Sequence, residues 1–410
     1  MDKRKKTVAV FFGAKSPEHD VSIVTGLQAI KALDTTKYDA LPVYISPNGE
    51  WLYGEELLNL NNYMLPSDLL KKLPKVTLDF AKNKQSNRAQ LLIKNSSLFN
   101  RRKFIEFDIA LLAFHGLHGE DGQAAAIMEM ANIPYTGMRH FASTILMNKV
   151  ATKQILSSVG IPVLPHKIIV RPASGGFIVD VKILEEIVKH IHFPLCVKPC
   201  NLGSSIGVAK VNDIAELTIV LPNIFKYDQV AILEPFIENL VEYNIAVGVL
   251  NNKLVTSAIE KPKCHSDLLD FKQKYMGNHQ EKNNTNKFGG KSSGINTGML
   301  TMTREFHPQL DPIHEKKLRH WAELAFTSVY GSGFPRIDFL CNSKTKEIWL
   351  NEINPCPGSF GFYLWEISNY NLLFTELLNA LLLEAELLFN KQQLPSDPTP
   401  KDARLFPRKQ

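Results

Sequence analysis

Residues 334–358 read Phe-Pro-Arg-Ile-Asp-Phe-Leu-Cys-Asn-Ser-Lys-Thr-Lys-Glu-Ile-Trp-Leu-Asn-Glu-Ile-Asn-Pro-Cys-Pro-Gly, two largely apolar runs joined by a polar turn, a pattern that predicts a β-hairpin. Arg336 and Asp338 alternate and so share one strand face; Glu352 and Asn354 do the same on the returning strand. Counting back through the turn at 342–346 sets Asp338 opposite the Glu352 region, so that Asp338, Glu352 and Asn354 converge as hard oxygen donors. Two carboxylates and a carboxamide suit Mg²⁺ better than zinc, because no cysteine or histidine stands at ligand spacing. The plainer alternative is a strand pair whose acids end in solvent or pair with lysines. Against it, the apolar flanking residues imply burial of the other face.

The chain has 410 residues, enough for two or three domains with a sizeable core. A formal charge of +6 without a basic stripe interleaved with aromatics argues against a nucleic-acid partner. The five cysteines, at 196, 200, 264, 341 and 356, form neither an even framework nor a Cys-x-x-Cys pair, which favours a reducing cytoplasm. The apolar run Thr7 to Phe12 is too short for a signal peptide. The segment from 371 to 389 is long and apolar, but Glu376, Glu384 and Glu386 interrupt it; it predicts a buried or self-associating helix and no membrane span.

Working outward, Thr7 to Phe12 predicts a strand, and Val21 to Leu33 a helix. A dinucleotide fingerprint is excluded, since Gly13 is the only glycine where three are needed and Glu18-His19-Asp20 would repel a pyrophosphate. A second strand, Asp108 to Phe114, leads into His-Gly-Leu-His-Gly-Glu-Asp-Gly at 115–122 and a helix from Gln123 to Ala131. Strands and helices alternating to about residue 140 indicate a parallel α/β unit with its loops at the strand C-terminal ends. Residues 47–105 read as an insertion of mixed structure. From Met147 a helix runs to about Val159, and strands follow at 168–170, 195–198 and 230–233. The segment from 265 to 298 is polar and glycine-containing without a period, which predicts a lid or a disordered loop, and the proline-rich residues 391–410 predict a mobile tail.

Lys198 ends a strand, and Gly203-Ser204-Ser205-Ile206-Gly207 follows as a flexible loop rich in donors. Backbone amides and hydroxyls of such a loop can fold over phosphates while the strand lysine supplies a fixed charge. In a P-loop the lysine follows the glycines; here it precedes them, which makes this a different cradle. Gly289-Gly290-Lys291-Ser292 is rejected as a P-loop because position 285 is Thr and no strand precedes it. Lys149 is a candidate second phosphate contact or an ordinary solvated helix lysine. The apolar strand at 230–237, with Glu234 inside it and Glu242 beyond, fits either a purine and ribose slot or hydrophobic core.

Together and in this order, these residues resemble the ATP-grasp fold, and specifically the D-alanine-D-alanine ligase family. The resemblance covers residue 7 to about 385. It rests on Ser16-Pro17-Glu18-His19-Asp20-Val21-Ser22, His115-Gly116 with Gly119-Glu120-Asp121-Gly122, Tyr135-Thr136-Gly137, Lys198-Pro199 with Gly203 to Gly207, and the hairpin. It implies an N-terminal α/β substrate-binding domain (1–145), a central ATP-grasp lobe (146–237), and a C-terminal lobe (238–390) that clamps ATP and carries the mobile loop 265–298. It also implies a cytoplasmic homodimer that forms an acyl phosphate from ATP and one D-amino acid and joins it to the amine of a second.

By that resemblance Lys149, Lys198, Ser204, Ser205 and Lys274 meet ATP phosphates, and Glu234, Ile237 and Glu242 meet adenine and ribose. Asp338, Glu352 and Asn354 bind two Mg²⁺, or Mn²⁺, and Arg336 stabilises the acyl phosphate and the oxyanion. Glu18 receives the first ammonium, His115 lies near that substrate, and Ser204 and Tyr275 bridge Glu18 to the lid. Gly358, Tyr363 and Leu364 border the second substrate. Two plainer readings stand beside these: Glu18 as a helix cap, and His115-x-x-His118 with Glu120 and Asp121 as a transition-metal site.

The chain departs from the family pattern at Ser359 to Glu366, where Tyr363 stands in place of the expected small hydroxyl and so should reshape the second subsite. Leu268-Leu269 replaces the usual aromatic pair, and the insertion at 47–105 has no counterpart in compact members. A ligase with another acceptor, such as a different amino acid or D-lactate, and a non-catalytic ATP-binding protein are the competing readings. Tyr275 favours an amine acceptor, and the full set Arg336, Asp338, Glu352, Asn354, Lys149 and Lys198 favours catalysis.

Overall fold

The computed structural model describes residues 4–64, 68–94, 103–203, 206–263 and 304–394, with 400 and 403. The expectations placed on Ser204, Ser205, Lys274, Tyr275, the loop 265–298 and most of the tail 391–410 lie outside the described residues.

The apolar run Thr7 to Phe12 forms β1 (Lys6–Gly13), with Val8 to Phe12 completely buried. It lies between β2 (Tyr38–Ile45) and β7 (Ile109–Leu112), parallel to both. The helix His19–Ala32 crosses from β1 to β2 and buries Val21, Ile23, Leu27 and Ala29. This is the expected parallel α/β unit. The insertion extends it with an antiparallel meander, β3 (Trp51–Tyr53), β4 (Lys75–Asp79), β5 (Ala89–Ile93) and β6 (Lys103–Phe107), giving a seven-stranded mixed sheet of order β6-β5-β4-β3-β2-β1-β7. Leu91 and Phe107 of the meander are fully buried in the same cluster as Phe11, so the insertion enlarges the core.

The second sheet is antiparallel, of order β10-β9-β11-β8, from β8 (Lys167–Val170), β9 (Leu195–Pro199), β10 (Ala209–Val211) and β11 (Val230–Pro235). Leu195, Val197, Ala231 and Leu233 pack on Leu184 of helix Val181–Val188 and on Leu217, Leu221 and Ile224 of helix Ile214–Ile224. Side chains alternate across a strand, so Lys198 and Glu234 emerge on the opposite face.

The third sheet, also antiparallel, has order β14-β13-β12-β15-β16, from β12 (Leu240–Leu250), β13 (Lys253–Pro262), β14 (Arg304–Phe306), β15 (Arg336–Asn342) and β16 (Ile348–Asn354). The hairpin read from the opening stretch is β15–β16. Its Ile337, Phe339, Ile348, Leu350 and Ile353 pack against Leu318, Ala322, Ala325 and Phe326 of helix Pro312–Ser328, which leaves Arg336 and Asp338 on the other face. Asp311 caps that helix, its carboxylate accepting from the Ile313 N–H at 2.7 Å.

One element differs from its sequence reading. The helix expected from Met147 to about Val159 is Lys149–Ser158, and a separate helix that was not read from the sequence, His140–Met147, precedes it. Asn148 between them is extended (φ −90°, ψ 108°) and caps the second helix by accepting from the Ala151 N–H at 2.9 Å, which ends the first.

The apolar C-terminal segment is the helix Phe374–Lys391, and it buries Leu377, Leu378, Leu381, Leu382 and Ala385 in one core with Val8 and Val10 of β1. No helix among the described residues is long and apolar enough to cross a membrane. Its Glu384 accepts from the Gly333 N–H at 2.7 Å, just ahead of β15. A Cβ on Gly333 (φ 72°) would sit 2.8 Å from Gly137 Cα, so the two loops meet backbone to backbone, and only glycine permits it.

Candidate active site

The face of the second sheet opposite its helices carries a buried ion cluster. Glu234 on β11 receives Lys198 Nζ of β9 at 2.7 Å on one oxygen and Lys153 Nζ of helix Lys149–Ser158 at 2.6 Å on the other. Burial raises the Glu234 carboxyl, but Lys198 and then Lys153 overcome this and bring it down to about 2. Burial alone would depress Lys198, and Glu234 reverses that, holding its ammonium above the ordinary lysine range.

Two contacts carry this cluster onto the hairpin. Lys198 Nζ donates to the Asn351 carboxamide at 3.1 Å, and Lys149 Nζ lies 3.4 Å from Glu352. The register explains how Asn351 arrives there: Asp338 pairs with Glu352 but Phe339 with Leu350, so Asn351 is the extra residue of a β-bulge, the device that re-aims a side chain out of strand alternation. Lys149 also donates to the Leu202 carbonyl at 2.7 Å and is buried, so it is no solvated helix lysine.

On the hairpin, Arg336 pairs with Asn354 and Asp338 with Glu352. The Arg336 guanidinium grips Asp338 through Nε (2.7 Å) and Nη2 (2.8 Å), and the Asn354 amide donates to the same carboxylate at 2.9 Å. Burial opposes the Arg336 charge, yet Asp338 holds it well above the usual arginine range. Asp338, Glu352 and Asn354 thus gather two carboxylates and a carboxamide at one end of the hairpin, a donor set that fits a hard divalent cation. Among the described residues no group of three or more His, Cys, Asp or Glu side chains is placed to hold a metal. The His118 and Asp121 pair is a turn instead: the Asp121 carboxylate accepts from the backbone N–H groups of His118 (2.8 Å) and Gln123 (3.1 Å).

The third wall comes from the first sheet. Glu18 is buried at the start of helix His19–Ala32 and makes no side-chain cap there. It lies against two glycines: a Cβ on Gly116 would come 2.4 Å from its Oε2, and one on Gly203 3.3 Å. Glu18 therefore faces the Gly203 loop that follows Lys198. Glu120 accepts from the N–H groups of Gly116 (2.7 Å) and Cys356 (3.1 Å), and burial, with the charge of Glu18, pushes its carboxyl up to about 8.

His115 is a brace. Its Nε2 is 2.8 Å from Thr25 Oγ1, which accepts from the Ser359 N–H at 3.1 Å. Burial pulls the imidazole down to about 4; a hydrogen bond with the Cys356 backbone opposes the shift and the Arg336 charge adds to it, so the ring is neutral at pH 7. These contacts hold the turn after Gly358, where Ser359 and Phe360 adopt left-handed φ of 52° and 56°.

Beyond that turn Tyr363 is buried, its hydroxyl 3.3 Å from Glu260 and bonded by Arg304, whose guanidinium carbon stacks 4.6 Å from the ring centroid. Arg304 binds both Glu260 oxygens, at 3.0 and 2.8 Å. Leu364 is fully buried in the core shared with β1. Ile237 and Glu242 are part-buried, the first just past β11 and the second on β12 opposite Leu340.

Sequence reasoning missed Lys153, Asn351 and the Glu260–Arg304 pair, and it took Glu120 only as part of a motif and of an alternative metal site. Lys153 had a signal, standing four residues after Lys149 on one helix face. Asn351 had none, because strand alternation places it opposite Glu352 and only the bulge turns it inward.

Residues 7–138 match the family model described as D-ala D-ala ligase N-terminus, and residues 155–383 match D-ala D-ala ligase C-terminus. The chain belongs to the D-alanine-D-alanine ligase family. It is 32% identical over 375 residues to the D-alanine-D-alanine ligase of Thermosipho melanesiensis, covering 92% of both chains. Among solved structures it resembles the D-alanine-D-alanine ligase of Helicobacter pylori (TM-score 0.68, 28% identity, 92% of this chain and 99% of that one). It also resembles the VanG D-Ala:D-Ser ligase of Enterococcus faecalis (TM-score 0.68, 26% identity, 94% and 100%). The family's fold is ATP-grasp, and its members are ATP-dependent ligases acting on amino-acid substrates. In this ligase fold the second and third sheets supply the two facing walls of the ion cluster.

Proposed function

We propose that this chain joins two D-alanines at the expense of ATP, releasing ADP and phosphate and supplying the dipeptide for peptidoglycan precursors. The observation that carries the reading is the meeting of Lys149 and Lys198 with Glu352 and Asn351, which sets phosphate-binding cations against the carboxylate end of the hairpin. Lys198, Lys149 and the Gly203–Gly207 loop hold the ATP phosphates, while Glu234, Ile237 and Glu242 border adenine and ribose. Asp338, Glu352 and Asn354 would hold magnesium, which supplies charge neutralisation of the phosphoryl group in flight.

Glu18 receives the ammonium of the first D-alanine and so aims its carboxylate at the γ-phosphoryl group. One carboxylate oxygen attacks, the bond from the γ-phosphorus to the bridging oxygen breaks, and ADP leaves. Arg336 faces the carbonyl of the resulting acyl phosphate, where a fixed guanidinium stabilises the oxyanion formed when the second amine attacks. The oxyanion then collapses, the bond from the carbonyl carbon to the phosphate oxygen breaks, and phosphate departs with the proton that the amine loses. His115, Thr25 and Glu120 keep the turn at 356–359 in place beside the first substrate. The reading extends to a cytoplasmic homodimer.

A second reading, a different acceptor, is favoured by the Tyr363 hydroxyl, which is committed to Glu260 and Arg304. ADP release with Mg·ATP against a panel of D- and L-amino acids and hydroxy acids, with product mass, separates the two. Release with D-alanine alone and the dipeptide mass support the first reading, another product mass moves the assignment to the second, and no turnover with any pair sinks both.

A further inference from the structure

Lys153 is a buried ammonium that the mechanism above does not use. Its side chain is 1% exposed, as is that of Glu234, its partner at 2.6 Å. A charge sealed this deeply is costly unless it is paired, and Glu234 is the carboxylate that pairs it. The charge balance around Glu234 shows what the pair accomplishes. Lys198 and Glu234 alone, 2.7 Å apart, would form a neutral couple whose field at an approaching phosphate largely cancels. Lys153 occupies the second oxygen of the same carboxylate from the side of helix Lys149–Ser158, so the trio carries a net positive charge. Of its two cations, Lys198 is the one that also reaches the hairpin at Asn351.

We propose that Lys153 is a positioning residue for nucleotide binding: it neutralises Glu234 so that the ammonium of Lys198 acts on the phosphates as an uncompensated cation. The inference rests on the nucleotide reading of the site. Lys153 touches no substrate; it acts through Glu234. With Lys153 removed, Glu234 turns both oxygens to Lys198 and holds it as a closed ion pair. Selectivity for phosphate over the bare nucleoside should then follow the charge of the cluster.

Equilibrium binding of ADP and of adenosine to the full chain, without metal, measures that selectivity as a ratio of dissociation constants. In Lys153→Met the preference for ADP should fall at least tenfold, with adenosine binding changed less than threefold. Lys153→Met/Glu234→Gln restores the net charge without the ion pair and should return the preference to within threefold of wild type. A merely structural role for Lys153 predicts instead that ADP and adenosine weaken together, or that the double variant is no better than Lys153→Met, and either result overturns the inference. If Lys153→Met does not fold, a double variant with lost ADP preference overturns it equally. A wild-type chain that binds ADP no better than adenosine would overturn the nucleotide reading, and the inference with it.

Discussion

Lys198 Nζ and the Asn351 carboxamide meet at 3.1 Å although 153 positions separate them, and this contact joins the second sheet to the third. It exists because the hairpin carries one extra residue at Asn351, which brings that side chain to the lysine while Glu352 stays opposite Asp338. Lys149 and Glu352 make the parallel crossing at 3.4 Å.

Asn351→Leu removes a hydrogen bond to a charged group and should raise the KM for ATP by about tenfold, with kcat falling less. Steady-state ADP release at saturating D-alanine measures both. An unchanged KM would mean that the contact has no part in phosphate binding.

Asp338→Asn and Glu352→Gln each delete a carboxylate from the donor set and should lower kcat by roughly 10³-fold or more. Turnover near wild type in either variant would refute the metal assignment.

Glu384 gives the fold a pH dependence. Burial raises its carboxyl from 4.5 to about 7, although the Gly333 N–H and Arg139 work the other way. The native state therefore binds this proton more tightly than the unfolded chain does. The stability it contributes is complete below pH 4.5 and is lost as pH rises toward 7. Glu384→Gln should remove this slope and, at pH 8, gain about 1–3 kcal/mol relative to wild type. Urea unfolding at pH 5 and pH 8 tests it; equal differences between variant and wild type at the two pH values would contradict it.

Tyr363→Ser opens space beside Arg304 and Glu260. The ratio of kcat/KM for a larger acceptor such as D-2-aminobutyrate over D-alanine should rise about fivefold or more. Truncating a buried aromatic should also cost about 3 kcal/mol of stability. A constant acceptor ratio, read from product masses in mixed-substrate reactions, would remove Tyr363 from the acceptor subsite.

Much of the fold was legible because burial imposes a period on the chain. The apolar run of β1, the alternation in β15 and β16, and the long apolar segment of the C-terminal helix broken by three glutamates each follow from which face must leave water. The insertion at 47–105 was not legible as sheet. Its strands are short and half polar, and they acquire their partners only by pairing onto β2. The helix beginning at Lys149 was legible to within two residues, whereas the preceding one, His140–Met147, was not, and the Asn148 cap that separates them is a single side-chain hydrogen bond.

For the candidate site, residue type and spacing identified the chemistry: hard oxygen donors on one hairpin face, a lysine before a glycine-serine loop, and an acid-bearing turn after β1. Local pattern can do this because ligand hardness and strand alternation are properties of a few neighbouring residues. Which charges meet was decided by tertiary structure alone. Glu234 between two lysines, Asn351 on Lys198, and His115 held by Thr25 and Cys356 each join segments far apart in the chain. Their pairing depends on strands and helices far apart in the chain coming together in low dielectric, where an unpaired charge is costly, and no local period records that requirement.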